Sequence, residues 1–137
     1  MSEVSIGTRK PIVRTFRYDF AALGGAIGAL NLTDQARADA KLPDNAVVTR
    51  AWLEGVTTPT SAGAATIALG FTGSAAAFKA ATAYTDATFV ADAASAANAT
   101  VPLKTNAAAG VNVIATIAVA ALTAGKFDVH VEYIPGS

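Results

Sequence analysis

The sequence holds one histidine, His130. It lies between Asp128 and Glu132, and these three alternate with Phe127, Val129, Val131 and Tyr133. On a strand, residues at i, i+2 and i+4 project from one face, so an imidazole and two carboxylates share a surface. Neighbours on that surface stand about 7 Å apart, too far for all three to reach one ion. The spacing therefore predicts a solvated polar face and no metal. A Ser-His-acid relay would need the same His130. No serine sits in a Gly-x-Ser-x-Gly elbow, and Ser61, within Thr60-Ser61-Ala62-Gly63, reads as a turn residue. The carboxylates that could serve glycoside hydrolysis are scattered over polar turns and outer strand faces. With no cysteine in the chain, thiolate chemistry, disulfides and cysteine zinc sites are excluded. Gly24, Gly25 and Gly28 have neither the order nor the lysine of a phosphate-binding loop and read as bends. The expectation is a chain with no catalytic residues, no cofactor and no metal.

What remains is chemistry of contact. Arg9, Lys10, Arg14 and Arg17 cluster near the N-terminus. They read either as a solvated arm or as a surface for an acidic partner, with Arg9, Lys10 and Arg14 the candidate contacts. Trp52, the one tryptophan, alternates onto the face of Arg50 and Glu54, opposite Leu53. It either covers an apolar edge within the domain or anchors another chain.

The chain has 137 residues, one domain's worth, with ten basic and ten acidic side chains. A net charge of zero argues against nucleic acid, which demands a dense basic surface, and against a polybasic membrane role. The apolar tract Val111 to Leu122 is shorter than the roughly 20 residues of a membrane helix, and its branched residues alternate as in a strand. Met1 to Lys10 reads as a polar, mobile arm without the apolar run of a signal peptide. Thirteen of the twenty charged residues precede Gly55; the remainder, to Ser137, is largely Ala, Thr, Ser, Gly and Val. A domain this small cannot bury so much of its chain. Its neutral surface faces water or another protein, and assembly is the reading favoured.

The elements follow from periodicity. Val13 to Phe20 alternates, with Phe16, Tyr18 and Phe20 on one face. Ile27 to Leu32 is a short strand. Thr33 to Lys41 reads as a short helix, capped by Thr33 and stopped by Pro43. Ala46 to Val56 is a strand with Val47, Thr49, Ala51 and Leu53 on one face, and Thr57 to Gly63 a loop. Ala64 to Phe71 is a strand. Ser74 could cap a second helix to about Ala83. Thr85 to Val90 is a weak strand, Ala91 to Ala99 a loop, and Val101 to Leu103 an edge strand. Val111 to Val119 and Lys126 to Ile134 are strong strands, separated by a turn at Leu122 to Gly125. About eight strands with one or two short helices predict an all-β, jelly-roll-like antiparallel sandwich over residues 11–137, preceded by the arm 1–10.

Three stretches taken together carry a resemblance. They are Leu42-Pro43-Asp44-Asn45-Ala46-Val47-Val48 leading into Ala51-Trp52-Leu53-Glu54; Thr57-Thr58 to Ala65-Thr66-Ile67-Ala68-Leu69-Gly70; and Leu122-Thr123-Ala124-Gly125 leading into Val129-His130-Val131-Glu132-Tyr133. In this order, from Leu42 to Tyr133, they resemble tailed-bacteriophage capsid decoration or cement proteins. The resemblance implies a virion protein on the capsid exterior, bound to the major capsid protein, often as a trimer, that stiffens the shell. The alternative is a receptor- or glycan-binding module of a phage tail or fibre, with loops such as Ala91 to Ala99 at its site.

Overall fold

The computed structural model describes residues 11–34, 41–42, 46–91, 93–96, 103–104 and 111–134. Alternating residues build β1 (Ile12–Asp19), which buries Phe16 and Tyr18 completely. Asp19 then turns the chain: its carboxylate accepts from Ala21 N at 3.0 Å and caps α1 (Phe20–Leu23). Gly24, at φ 75, ends that helix, and the buried Tyr18 hydroxyl donates to the Gly24 carbonyl at 2.7 Å. The strands β2 (Gly28–Asn31), β3 (Thr33–Asp34), β4 (Lys41–Leu42), β5 (Val47–Ser61), β6 (Thr66–Phe71) and β7 (Ser74–Ala83) follow. After a 3-10 turn (Ala87–Phe89) come β8 (Ala94–Ala96), β9 (Leu103–Lys104), β10 (Val111–Ala118) and β11 (Leu122–Ile134).

The strands form two antiparallel sheets. One, sheet A, is six-stranded, in the order β3-β1-β11-β5-β8, with β9 also pairing with β5. The other, sheet B, is five-stranded, in the order β2-β10-β6-β7, with β4 also pairing with β10. Without the two-residue strands β3, β4 and β9, each sheet keeps four. The chain then changes sheet at every step except the β6–β7 hairpin. This is the jelly-roll-like sandwich that the pattern of strands predicts.

One core fills the space between the sheets. Sheet A contributes Phe16, Tyr18, Leu53, Phe127, Val129 and Val131; sheet B contributes Ile67, Leu69, Val113, Ala115 and Ile117. Phe127 lies at the centre, with its ring centroid 5.1 Å from Tyr18 and 5.4 Å from Phe89. Burying each such side chain contributes about 1.5–3 kcal/mol.

Several expectations are corrected. Val48, not Val47, faces the core with Ala51 and Leu53. The pairing of β5 with β11 slips between Arg50 and Val48, leaving Thr49 as a bulge that shifts the alternation by one residue. Ser74 to Ala83 is the strand β7 and not a helix. Gly73, at φ 92, closes a tight hairpin, and pairing with β6 together with burial of Phe78 overrides the helix propensity of the alanines. Thr33 and Asp34 pair with β1 and do not start a helix; residues 35–40 lie outside the described residues, as does the arm Met1 to Lys10. Thr57 to Ser61 continues β5, and Leu122 to Gly125 belongs to an irregularly paired β11. Thr85 to Val90 is a turn and a 3-10 segment capped by Asp86, and Ala94 to Ala96 pairs with β5. The strand expected to reach Val119 ends at Ala118, and Val119 has φ 72 and is 70% exposed.

Candidate functional site: the outer face of sheet A

The outer face of sheet A gathers Arg17 and Asp19 of β1, Lys126, Asp128 and Glu132 of β11, and Arg50 and Glu54 of β5 into cross-strand rows. Register sets Asp19 opposite Lys126, Arg17 opposite Asp128, Thr15 opposite His130 and Val13 opposite Glu132. On the other side of β11, Asp128 faces Glu54, His130 faces Trp52 and Glu132 faces Arg50. The opposite-sign pairs Asp19–Lys126, Arg17–Asp128 and Arg50–Glu132 favour this register over a slipped one, whereas Asp128 opposite Glu54 is a like-charge pair that opposes it.

In the central rows, Arg17 grips Asp128 with two hydrogen bonds, Nε to Oδ1 at 2.7 Å and Nη2 to Oδ2 at 3.0 Å. Asp128 is only 5% exposed, so its carboxylate is largely withdrawn from water, while the Arg17 side chain stays 32% exposed. The bond to Asp128 raises the Arg17 pKa against the opposing effect of burial. His130 is held at both nitrogens: Thr15 Oγ1 lies 2.8 Å from Nδ1, and Glu54 Oε1 lies 2.9 Å from Nε2. The Trp52 ring stacks on the imidazole at 5.4 Å, and the Arg50 guanidinium lies 5.2 Å from the Trp52 centroid. Arg50 also reaches Glu132 at 3.2 Å, and Thr49 donates to the same carboxylate at 2.9 Å. The Thr49 bond first, and Arg50 second, lower the Glu132 pKa. At the end of the face, Lys126 pairs with Asp19 at 3.6 Å.

Hydroxyl, imidazole and carboxylate thus follow one another through Thr15, His130 and Glu54. Such an order could relay a proton, but acyl transfer also needs donors placed for an oxyanion and a cleft that excludes water. These residues stand on the open face of a sheet. A depression of about 160 Å³ beside α1, lined by Arg17, Asp19, Ala22 and Thr33, is smaller than the roughly 300–1,000 Å³ of small-molecule sites. The arrangement does fit a cation. Glu54, Asp128 and His130 each place one ligand atom within 4.8 Å of the others. Glu132, the third ligand type considered from the sequence, turns instead to Thr49 and Arg50.

The candidate contact residues divide. Arg9 and Lys10 lie outside the described residues. Arg14 and Arg17 occupy opposite faces of β1: Arg14 shares the inward side with Phe16, is 7% exposed, and has its guanidinium 5.4 Å from the Phe16 centroid. Trp52 is half-buried on the outer face against His130 and Arg50. Alternation alone placed His130, Asp128 and Glu54 on outer faces. Thr15 and Arg17 joined them only once the β1–β11 register was known.

Sheet B presents a different outer face. Its outward-alternating positions Ala29, Asn31, Thr66, Asn112, Thr116 and Ala118 are uncharged, Ala68, Gly70 and Ile114 are uncharged and buried, and Lys41 of β4 pairs with Asn112. The ion pairs of the sandwich thus gather on the outer face of sheet A, and they join residues from both sides of Gly55.

No protein-family model matches this chain, and no curated protein matches it. Solved structures do. The chain shares its fold with phage capsid chains. A chain of the cyanophage Pam1 capsid asymmetric unit aligns with a TM-score of 0.61 and 23% identity, covering 92% of this chain and 85% of that one. A chain of the acidic stable capsid structure of Helicobacter pylori bacteriophage KHP30 aligns with a TM-score of 0.64 and 17% identity, covering 94% and 91%. A chain of the capsid of Ralstonia phage GP4 aligns with a TM-score of 0.55 and 17% identity, covering 93% and 86%.

Proposed function

We propose that this chain is a virion structural protein, a decoration or cement subunit on the outside of a tailed-phage head. It binds the major capsid protein and stabilises the shell as a homo-oligomer, with the trimer favoured. The observation that carries this reading is the shared fold with capsid chains over 92% to 94% of the sequence. The small, mostly uncharged outward positions described for sheet B support it, because close packing on a shell favours small residues and few charges to desolvate.

Two apolar side chains stand out as contact points. Ile27 is 61% exposed and Val119 is 70% exposed. Gly28 pairs with Ile117, so both sit at the end of sheet B where β2 begins and β10 ends. A residue held at positive φ while its side chain points into water suggests selection for contact. The test is co-sedimentation of the purified protein with expanded heads lacking it, beside light scattering of the free protein. Saturable binding, weakened in an Ile27→Asp/Val119→Asp double variant, supports the proposal. Failure of the wild-type protein to bind heads overturns it.

A further inference from the structure

We propose that the outer face of sheet A carries a binding site for a divalent transition metal of the zinc class, with His130 Nε2 and the carboxylates of Glu54 and Asp128 as ligands. The site does not depend on the capsid reading. One strand cannot assemble it, since Asp128, His130 and Glu132 are spaced too widely along β11. The β5–β11 register solves the problem by placing Glu54 directly opposite Asp128 and diagonal to His130. Ligand atoms around a tetrahedral zinc, at about 2.0–2.1 Å from the metal, lie roughly 3.3–3.5 Å from one another. Here they lie within 4.8 Å, with His130 Nε2 and Glu54 Oε1 already at 2.9 Å. Glu54, whose side chain is 53% exposed, can change rotamer to adjust its distance to Asp128, while Asp128 and His130, two residues apart on β11, meet through rotation of their own side chains.

The residues behind these ligands match what a metal site needs. A ligating imidazole is usually fixed through its other nitrogen, and ligating carboxylates are themselves hydrogen-bonded. Thr15 Oγ1 sits 2.8 Å from His130 Nδ1. A hydroxyl can donate or accept, so it serves both states. Without metal, a ring with its proton on Nε2 would donate to Glu54 and accept from Thr15. With metal, the Nε2 lone pair goes to the ion, the ring proton resides on Nδ1, and Thr15 accepts it. Arg17 occupies one lone pair on each Asp128 oxygen, which orients that carboxylate and leaves a lone pair on each. One imidazole with two carboxylates suits zinc or cobalt better than magnesium or calcium, which prefer all-oxygen shells. Three protein ligands leave a fourth position open toward solvent.

The protein carries its own reporter, since the sole tryptophan stacks on the proposed ligand. The test uses untagged, full-length protein stripped with a chelator. Zinc is titrated by calorimetry, and cobalt by quenching of Trp52 fluorescence. We expect one equivalent of zinc and a quench that saturates with it. Glu54→Gln and His130→Gln should each abolish both signals. Thr15→Val should weaken binding at least roughly tenfold, since it removes only the partner of Nδ1. Near-UV circular dichroism of each variant establishes that the fold is kept, and Glu54→Gln, at an exposed position, carries the test should His130→Gln unfold. Absence of saturable binding to the wild-type protein overturns the proposal. Binding that survives Glu54→Gln also overturns it, because the metal is then elsewhere on the surface.

Discussion

Replacing Val119 by glycine should cost the free protein nothing, although it deletes a side chain. Val119 has φ 72, and the Ala120 N–H donates to the Ala118 carbonyl at 2.8 Å, so Val119 is the centre of a three-residue turn. The positive-φ form of that turn is the strained one. Crowding of Cβ against the following carbonyl costs about 1–2 kcal/mol, and a β-branched residue tolerates it poorly. The side chain is 70% exposed, so truncation forfeits only about 0.5 kcal/mol of burial. Glycine adds a backbone-entropy cost of roughly 0.5–1 kcal/mol. These contributions nearly cancel, so a control must isolate the strain. Val13→Gly removes the same side chain from β1, at a residue 49% exposed and without positive φ. The entropy cost is common to both, so the gap between the variants reports strain, at about 1–2 kcal/mol. Urea unfolding with matched m-values measures it, and thermal melts should separate the variants by roughly 3–8 °C. If Val119→Gly loses as much stability as Val13→Gly, the strain argument is wrong. If the contact proposal holds, Val119→Gly should bind heads more weakly while being no less stable.

Other outcomes follow from the same structure. Gly55→Ala should destabilise by on the order of 2 kcal/mol, because a Cβ there would collide with the backbone carbonyl of Val90; an unchanged melting temperature would contradict that packing. Arg17→Met should cost roughly 2–3 kcal/mol by stranding the buried Asp128 carboxylate, and Arg17→Met/Asp128→Met should recover most of it in a double-mutant cycle. Burial, and then the charge of Asp19, push the Tyr18 pKa up to about 12. A raised native pKa means that this stability is complete below the unfolded value near 10 and is lost as pH rises toward 12. Alkaline titration should therefore show one tyrosine ionising together with unfolding, and Tyr18→Phe should move the alkaline midpoint upward. Glu132 behaves oppositely: its native pKa is lowered, so its contribution is present at neutral pH and fades as acid protonates it. Thr49→Val should shrink that acid-dependent loss.

Much of the sandwich was legible because strands with one buried face alternate strictly. Phe16 and Tyr18, or Phe127, Val129, Val131 and Tyr133, announce their inward side without any partner being known. Where reading failed, pairing decided the outcome. Thr49 bulges because β11 demands it, and no local signal marks it. Ser74 to Ala83 is alanine-rich and locally helical, yet the Thr72-Gly73 turn delivers it to the edge of β6. Val119 continues an alternating pattern and breaks it only because the chain must cross to the other sheet. The outer-face cluster was half legible. His130 and Asp128 are neighbours in sequence, but Glu54, Thr15 and Arg17 arrive from strands 74 to 115 residues away, as their spacing from Asp128 and His130 records. Segregated charge was visible as a bias along the chain, but the fold mixes the two halves: Lys126, Asp128 and Glu132 pair with Asp19, Arg17 and Arg50 on one face.

The proposed function puts this sandwich on the outside of the head, and a cryo-electron microscopy reconstruction of the intact particle reads that position. The proposal predicts density for this sandwich on the outer surface of the head, contacting the major capsid protein at repeated positions, with copies grouped about symmetry axes. Density for this chain confined to the tail or the interior of the head, or a particle that lacks the chain altogether, would contradict it.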